Sequence, residues 1–135
     1  MATRFNRRTV VTGLSGLALA PQSARGEGIA QFGFILVGAG WCAVCKNAAP
    51  LLYAFARQQG VPVLVASQDL QPIPPFSDVM PTEGHPIADV VQRFPTVFAV
   101  RPASMEVAYS FEGYRNPTWF LRQLQQGASH ARNLS

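Results

Sequence analysis

The sequence is short of metal ligands, with two cysteines and two histidines in 135 residues. A closed zinc site takes four Cys or His ligands. It would need Cys42, Cys45, His85 and His130 together, and His130 falls in a polar C-terminal stretch. Ligand type alone leaves a copper site open. There is no Gly-rich dinucleotide fingerprint and no flavin signature, so no cofactor is expected. Charge is scarce at 13 %. The net charge of +4 invites a nucleic-acid reading, but Arg4, Arg7 and Arg8 lie in an N-terminal leader. Beyond them eight basic residues face seven acidic ones, scattered rather than in a stripe. The electrostatic footprint of a nucleic-acid binder is missing. No internal repeat is present. The apolar fraction of 48 % suffices for one small core, and the length fits one domain.

Residues 1–24 have the layout of a secretory signal peptide: a basic segment ending in Arg7-Arg8, an apolar run from Val10 to Ala20, then small residues. The run is shorter than the ~20 apolar residues that span a bilayer. Arg7-Arg8 followed by Thr9, Val10 and Val11 resembles the twin-arginine export signal, and Gly13 and Gly16 weaken the run in a way that favours that route. Pro21 would hinder a cut after Ala20, which leaves Ala24 as the other cleavage point. The expected location is the periplasm, where disulfides persist. An uncleaved leader would tether the chain to the inner membrane. The alternative is a short cytosolic tail whose arginines are adjacent by chance.

The rest reads as one domain over residues 27–127 with a flexible tail at 128–135. Gln31–Val37 is a buried strand, broken by Gly38 and Gly40. From Cys42 to about Gln59 the pattern turns helical. Val44, Leu51, Leu52, Ala54 and Phe55 fall mainly on one side, and Gly60 is a natural stop. Val61–Ala66 is a second buried strand. Uninterrupted apolar strands imply a sheet covered on both faces, and strand-helix-strand implies a parallel crossover. Pro72, Pro74, Pro75 and Pro81 forbid regular structure through most of Ser67–Gly84, a long surface loop. Pro86–Arg93 fits a short helix. Thr96–Val100 and Glu106–Phe111 form an antiparallel hairpin. Asn116 caps a final helix that Pro117 opens.

The two cysteines lie in WCAVCKNAAP, at the strand-to-helix junction. They read as a redox pair, half a metal site, or two buried thiols. The redox reading has a physical basis. The first cysteine of C-x-x-C at a helix start meets unpaired N–H groups and the positive end of the helix dipole. Both favour the thiolate, the attacking species. Cys45, one turn on, is placed to close a disulfide with it.

These residues resemble the thioredoxin superfamily. Trp41 precedes the first cysteine, Lys46 follows the second, and Pro50 stands five residues after it, as in that family. Phe94-Pro95-Thr96 stands where the family places a cis-proline, and Gly113 matches a glycine of its last strand. The resemblance spans Gln31 to about Gln126. It implies an α/β fold, a trimmed thioredoxin-like core of a four-stranded mixed sheet flanked by helices, without the usual first strand and helix. It implies Cys42 as nucleophile, Cys45 as resolving thiol, and a substrate wall of Trp41, Phe94 and Pro95. Lys46 reads as a solvated helix charge and His85 as a loop or cap residue. Phe76 and Met80 read equally as loop anchors or substrate contacts.

The sequence departs from the family in two places. Leu36 stands six positions before Cys42, where thioredoxins carry a buried acid that assists the second thiol. The dipeptide Ala43-Val44 has no histidine to stabilise the thiolate, which points to a reducing or intermediate potential. The resulting expectation is an exported thiol-disulfide oxidoreductase that reduces particular periplasmic clients and draws electrons from a membrane thiol donor. Alternatives are a disulfide-forming oxidase or isomerase, and a binding module or metal chaperone whose thiols do not turn over.

Overall fold

The computed structural model describes residues 31–133. The leader expected at 1–24 lies outside the described residues. Strand β1 (Gly33–Gly38) is buried along its whole length, as the apolar run GFILVG requires. Helix α1 (Ala43–Gln59) begins at Cys42, whose backbone is extended, and ends at Gly60, which takes the left-handed conformation at φ 70°. The N–H of Val61 returns to the Ala56 carbonyl at 3.0 Å, so the last turn is closed by hydrogen bonds. The buried stripe of α1 is Cys45, Ala48, Ala49, Leu52, Phe55 and Ala56. This corrects the expected stripe. Leu52 and Phe55 are buried as expected, whereas Val44 and Ala54 are exposed, because they lie off the face on which the two adjacent alanines let the helix approach the sheet.

Strand β2 (Val63–Ser67) pairs parallel with β1. Strand β3 (Met80–Pro81) pairs parallel with β2. The sheet therefore has five strands, not the expected four. The extra strand is two residues long and at an edge, where Pro81 can stand without its missing N–H disrupting a ladder. The helix expected at 86–93 is reduced to one 3₁₀ turn, Ala88–Val90. His85 Nδ1 accepts the N–H groups of Ile87 and Ala88, each at 3.0 Å, and so caps that turn. The chain then extends from Val91 toward Phe94-Pro95, since the residue before proline disfavours helix.

Strands β4 (Thr96–Arg101) and β5 (Glu106–Glu112) form the antiparallel hairpin, and β4 runs antiparallel to β1. The order across the sheet is β3-β2-β1-β4-β5. Helix α2 (Pro117–Asn133) starts with Asn116 Oδ1 accepting the Trp119 N–H at 2.8 Å, the expected cap. It does not fray at Gly127. The tail expected at 128–135 is helical through Asn133, with Gly127, Ala128 and Ala131 buried. A Cβ at Gly127 would stand 3.3 Å from Ala99 Cβ, so the missing side chain brings the helix down onto β4. Both helices pack on the Phe34 and Leu36 face of β1, in a core that includes Leu52, Val97, Phe120 and Leu124. Ile35, Val37, Ala66 and Val100 form a second cluster on the opposite face, under Ala88.

Candidate active site

The chain leaves β1 at Gly38 and turns so that the Cys42 N–H donates to the Ala39 carbonyl at 3.2 Å. This sets Cys42 at the N-cap of α1. Its Sγ accepts the N–H of Cys45 at 3.2 Å, the place a Ser or Asp oxygen takes in an ordinary cap. Both thiols are free. Cys45 is wholly buried, and Cys42 is 5 % exposed. The pair is thus more enclosed than a junction beside two glycines suggests. Burial pushes the Cys45 thiol up to about 12, and the hydrogen bond with the Cys42 sulfur adds to the rise.

Trp41 stands over the rim, 64 % exposed. Its ring lies 6.0 Å from that of Phe94, and its Nε1 donates to Gln68 Oε1 at 3.2 Å. The Phe94–Pro95 peptide bond is cis. Thr96 is opposite Val37 in the antiparallel ladder, so Pro95 comes alongside Gly38. Gly38 adjoins the second sulfur, because a Cβ there would lie 2.8 Å from Cys45 Sγ. The Pro95 carbonyl accepts the N–H of Gly113 at 2.7 Å, and Gly113 has a φ of 86°. The five residues singled out from the sequence, Trp41, Cys42, Cys45, Phe94 and Pro95, meet at one end of the sheet.

The loop 67–84 walls the other side, and through residues the sequence did not single out: Asp69, Gln71 and Ile73. Asp69 Oδ1 accepts from the Gly40 N–H at 2.9 Å, the Gln71 N–H at 3.1 Å and the Ser67 hydroxyl at 2.9 Å. These bonds, the one from Gly40 first, hold its carboxyl below the usual carboxylate range. A Cβ at Gly40 would fall 2.4 Å from Gln71 Cβ. Gly40 therefore does more than end a strand: it admits the loop. Ile73 is wholly buried, and its Cδ1 lies 3.1 Å from the Cβ position of Gly38, beside the Cys45 sulfur. Phe76 is half-buried, with its ring 5.6 Å from that of Tyr53, which makes it a loop anchor. Met80 is exposed in β3. An Asp shortly after a strand looks like any turn former, so no local signal announced this contact.

Leu36 is wholly buried. The buried polar side chains among the described residues are Ser67, His85 and Thr96, and no carboxylate is among them. No group of three or more His, Cys, Asp or Glu converges among the described residues. His85 is occupied by its two backbone bonds, and the His130 ring stacks on Tyr109 at 5.0 Å. No described helix is long and apolar enough to cross a membrane.

A family model described as TraF, F plasmid transfer operon protein, matches residues 28–115. No curated protein sequence matches. Among solved structures, the chain is similar to a thio-disulfide isomerase from Thermus thermophilus, at TM-score 0.52 and 23 % identity, covering 73 % of this chain and 80 % of that one. It is similar to a protein described as the thiol:disulfide interchange protein DsbE from Chlorobium tepidum, at TM-score 0.57 and 20 % identity, covering 76 % and 81 %. It is also similar to the thioredoxin of Fasciola hepatica, at TM-score 0.52 and 19 % identity, covering 72 % and 81 %. At these identities the likeness is one of fold, and the fold is thioredoxin-like.

Proposed function

The chain belongs to the TraF family within the thioredoxin superfamily, and on that premise we propose that it is an exported thiol-disulfide oxidoreductase that reduces disulfides of particular periplasmic proteins. The observation that carries this reading is the Cys42 sulfur at the start of α1, receiving the Cys45 N–H at 3.2 Å. A hydrogen bond donated to sulfur, together with the helix dipole, favours the thiolate.

The Cys42 thiolate attacks one sulfur of a client disulfide. That S–S bond breaks, the other client sulfur departs as a thiolate, and a mixed disulfide forms. Cys45 then attacks the Cys42 sulfur. The mixed disulfide breaks, the client leaves with two reduced sulfurs, and the Cys42–Cys45 disulfide holds the oxidising equivalents. Two electrons have passed to the client. With no buried acid beside Cys45 among the described residues, its proton leaves with the client on the departing sulfur. The exposed ring of Trp41 flanks the approach. The Phe94 backbone, before cis-Pro95, offers an extended client segment a partner for strand addition. A membrane thiol donor restores the dithiol. The reducing direction is supported by Ala43 and Val44, which bring no histidine to stabilise the thiolate.

The test is trapping in periplasmic extract. Cys45→Ser accumulates mixed disulfides through Cys42, and Cys42→Ser accumulates none. Capture through Cys45 would reverse the assignment. A reduction potential near that of the strong oxidants, about −120 mV, would replace the reductase with an oxidase or isomerase. The enclosure of both sulfurs favours a second reading, a binding module whose thiols do not turn over. Failure to reduce insulin or a model disulfide, combined with stoichiometric copper binding, would support it.

A further inference from the structure

We propose that Leu70 is a specificity residue of this site, and that it selects clients whose disulfide is flanked by apolar side chains in an extended segment. This rests on the reading of Cys42 as the attacking thiol.

Two local rules are broken at Leu70. Its φ is 59°, in the left-handed region where Gly and Asn sit without a Cβ clash and a leucine is strained. Its side chain is also 55 % exposed, although it is purely apolar. For folding alone, Gly or Asn would be the better residue on both counts. Met105, in the turn between β4 and β5, shares both features at φ 56° and 42 % exposure, so it is the place of Leu70 in the fold that marks it for contact.

Where that contact falls is set by the neighbours. Gln68 accepts from the Trp41 indole, Asp69 accepts from the Gly40 N–H, and Gln71 Cβ sits against Gly40. Leu70 is carried by residues that all touch the turn leading into Cys42. The Leu70 N–H donates to the Ser67 carbonyl at 3.2 Å, which fixes the tip. The Asp69 carboxylate is turned back to Gly40, Gln71 and Ser67. Trp41 (64 %), Leu70 (55 %) and Val44 (41 %) are therefore exposed apolar groups on segments that adjoin the attacking sulfur. The loop tip that carries Leu70 is thus tied to the turn that enters Cys42, and an apolar client side chain laid there would leave water together with Leu70.

The experiment uses the full reduced chain and two peptides with the same disulfide, one flanked by Leu and Val, the other by Ser and Asp. A small aromatic disulfide, dithiobis-nitrobenzoate, serves as the side-chain-free probe. Wild type and Leu70→Met exchange about tenfold faster with the apolar peptide than with the polar one, the scale of one apolar contact in a discriminating pocket. Leu70→Asn and Leu70→Gly reduce that ratio to about twofold, leave the rate with the aromatic disulfide unchanged, and keep or raise the thermal midpoint. An unchanged peptide ratio in both variants would overturn the inference alone. A lowered midpoint in both would make Leu70 a structural residue and overturn it too. No exchange of wild type with any of the three disulfides would overturn the underlying redox reading as well.

Discussion

Two segments meet at the sulfurs and inform the reader very differently. The turn from Gly38 to Lys46 carries its chemistry in its spelling. A strand ends, two cysteines stand one helical turn apart, and the first caps the helix. The loop from Ser67 to Gly84 carries no motif, only prolines that say what it is not. Yet this loop covers Cys45 with Ile73 and fixes the turn through Asp69. The contrast teaches that the placing of a thiol at a helix start is encoded locally, while the protection of its neighbour comes from a distant segment.

Several changes would sharpen or break that contrast. Ile73→Ala opens a cavity over Cys45 and is expected to cost about 2–5 kcal/mol in chemical denaturation. The same variant should speed alkylation of Cys45 at pH 8 to 9, since burial is the first cause of its raised pKa. Unchanged labelling would show that the loop does not shield the thiol. Gly40→Ala drives a methyl into Gln71 and should cost about 1–3 kcal/mol by the same measurement. The identical change at Gly84, where nothing lies near, tests only the cost of its positive φ.

The reduced protein should also weaken in alkali. Cys45 is raised from 9.0 to about 12, so its folded state holds a proton that the unfolded chain has lost. That stabilisation is complete below pH 9 and is lost as the pH rises toward 12, with a slope of about 1.4 kcal/mol per pH unit. Cys45→Ala should remove this slope from the pH dependence of the denaturation midpoint. Asp69→Asn should have the smallest effect. It keeps an acceptor oxygen but loses the charge, so it should be less stable than wild type above the ordinary carboxyl value of 3.8. The difference should close as the pH falls through the lowered folded value, because the wild-type carboxyl is then protonated as well. A gap that persists in acid would mean that shape rather than charge holds the clamp.

Much of the molecule was legible beforehand. The strands, the start and stop of α1, the hairpin and the Asn116 cap follow from interactions between residues a few positions apart. What misled was size. Leu52 and Phe55 are buried in α1 as expected, but Ala48 and Ala49 were left out of its stripe although they lie in the core, because close approach depends on what is absent. Gly127 misled in the same way. It reads as the start of a tail, and it is the point where α2 touches β4. The short strand at Met80–Pro81 exists only because β2 offers an open edge.

The sequence by itself determined the order of elements and the placement of a thiol at a helix start, since caps, turns and periodicity are near-neighbour physics. Only the tertiary structure decided how deeply Cys45 is buried and which groups hold the turn. Those depend on contacts such as Gly40 with Asp69, 29 residues apart, whose partners have no local reason to meet.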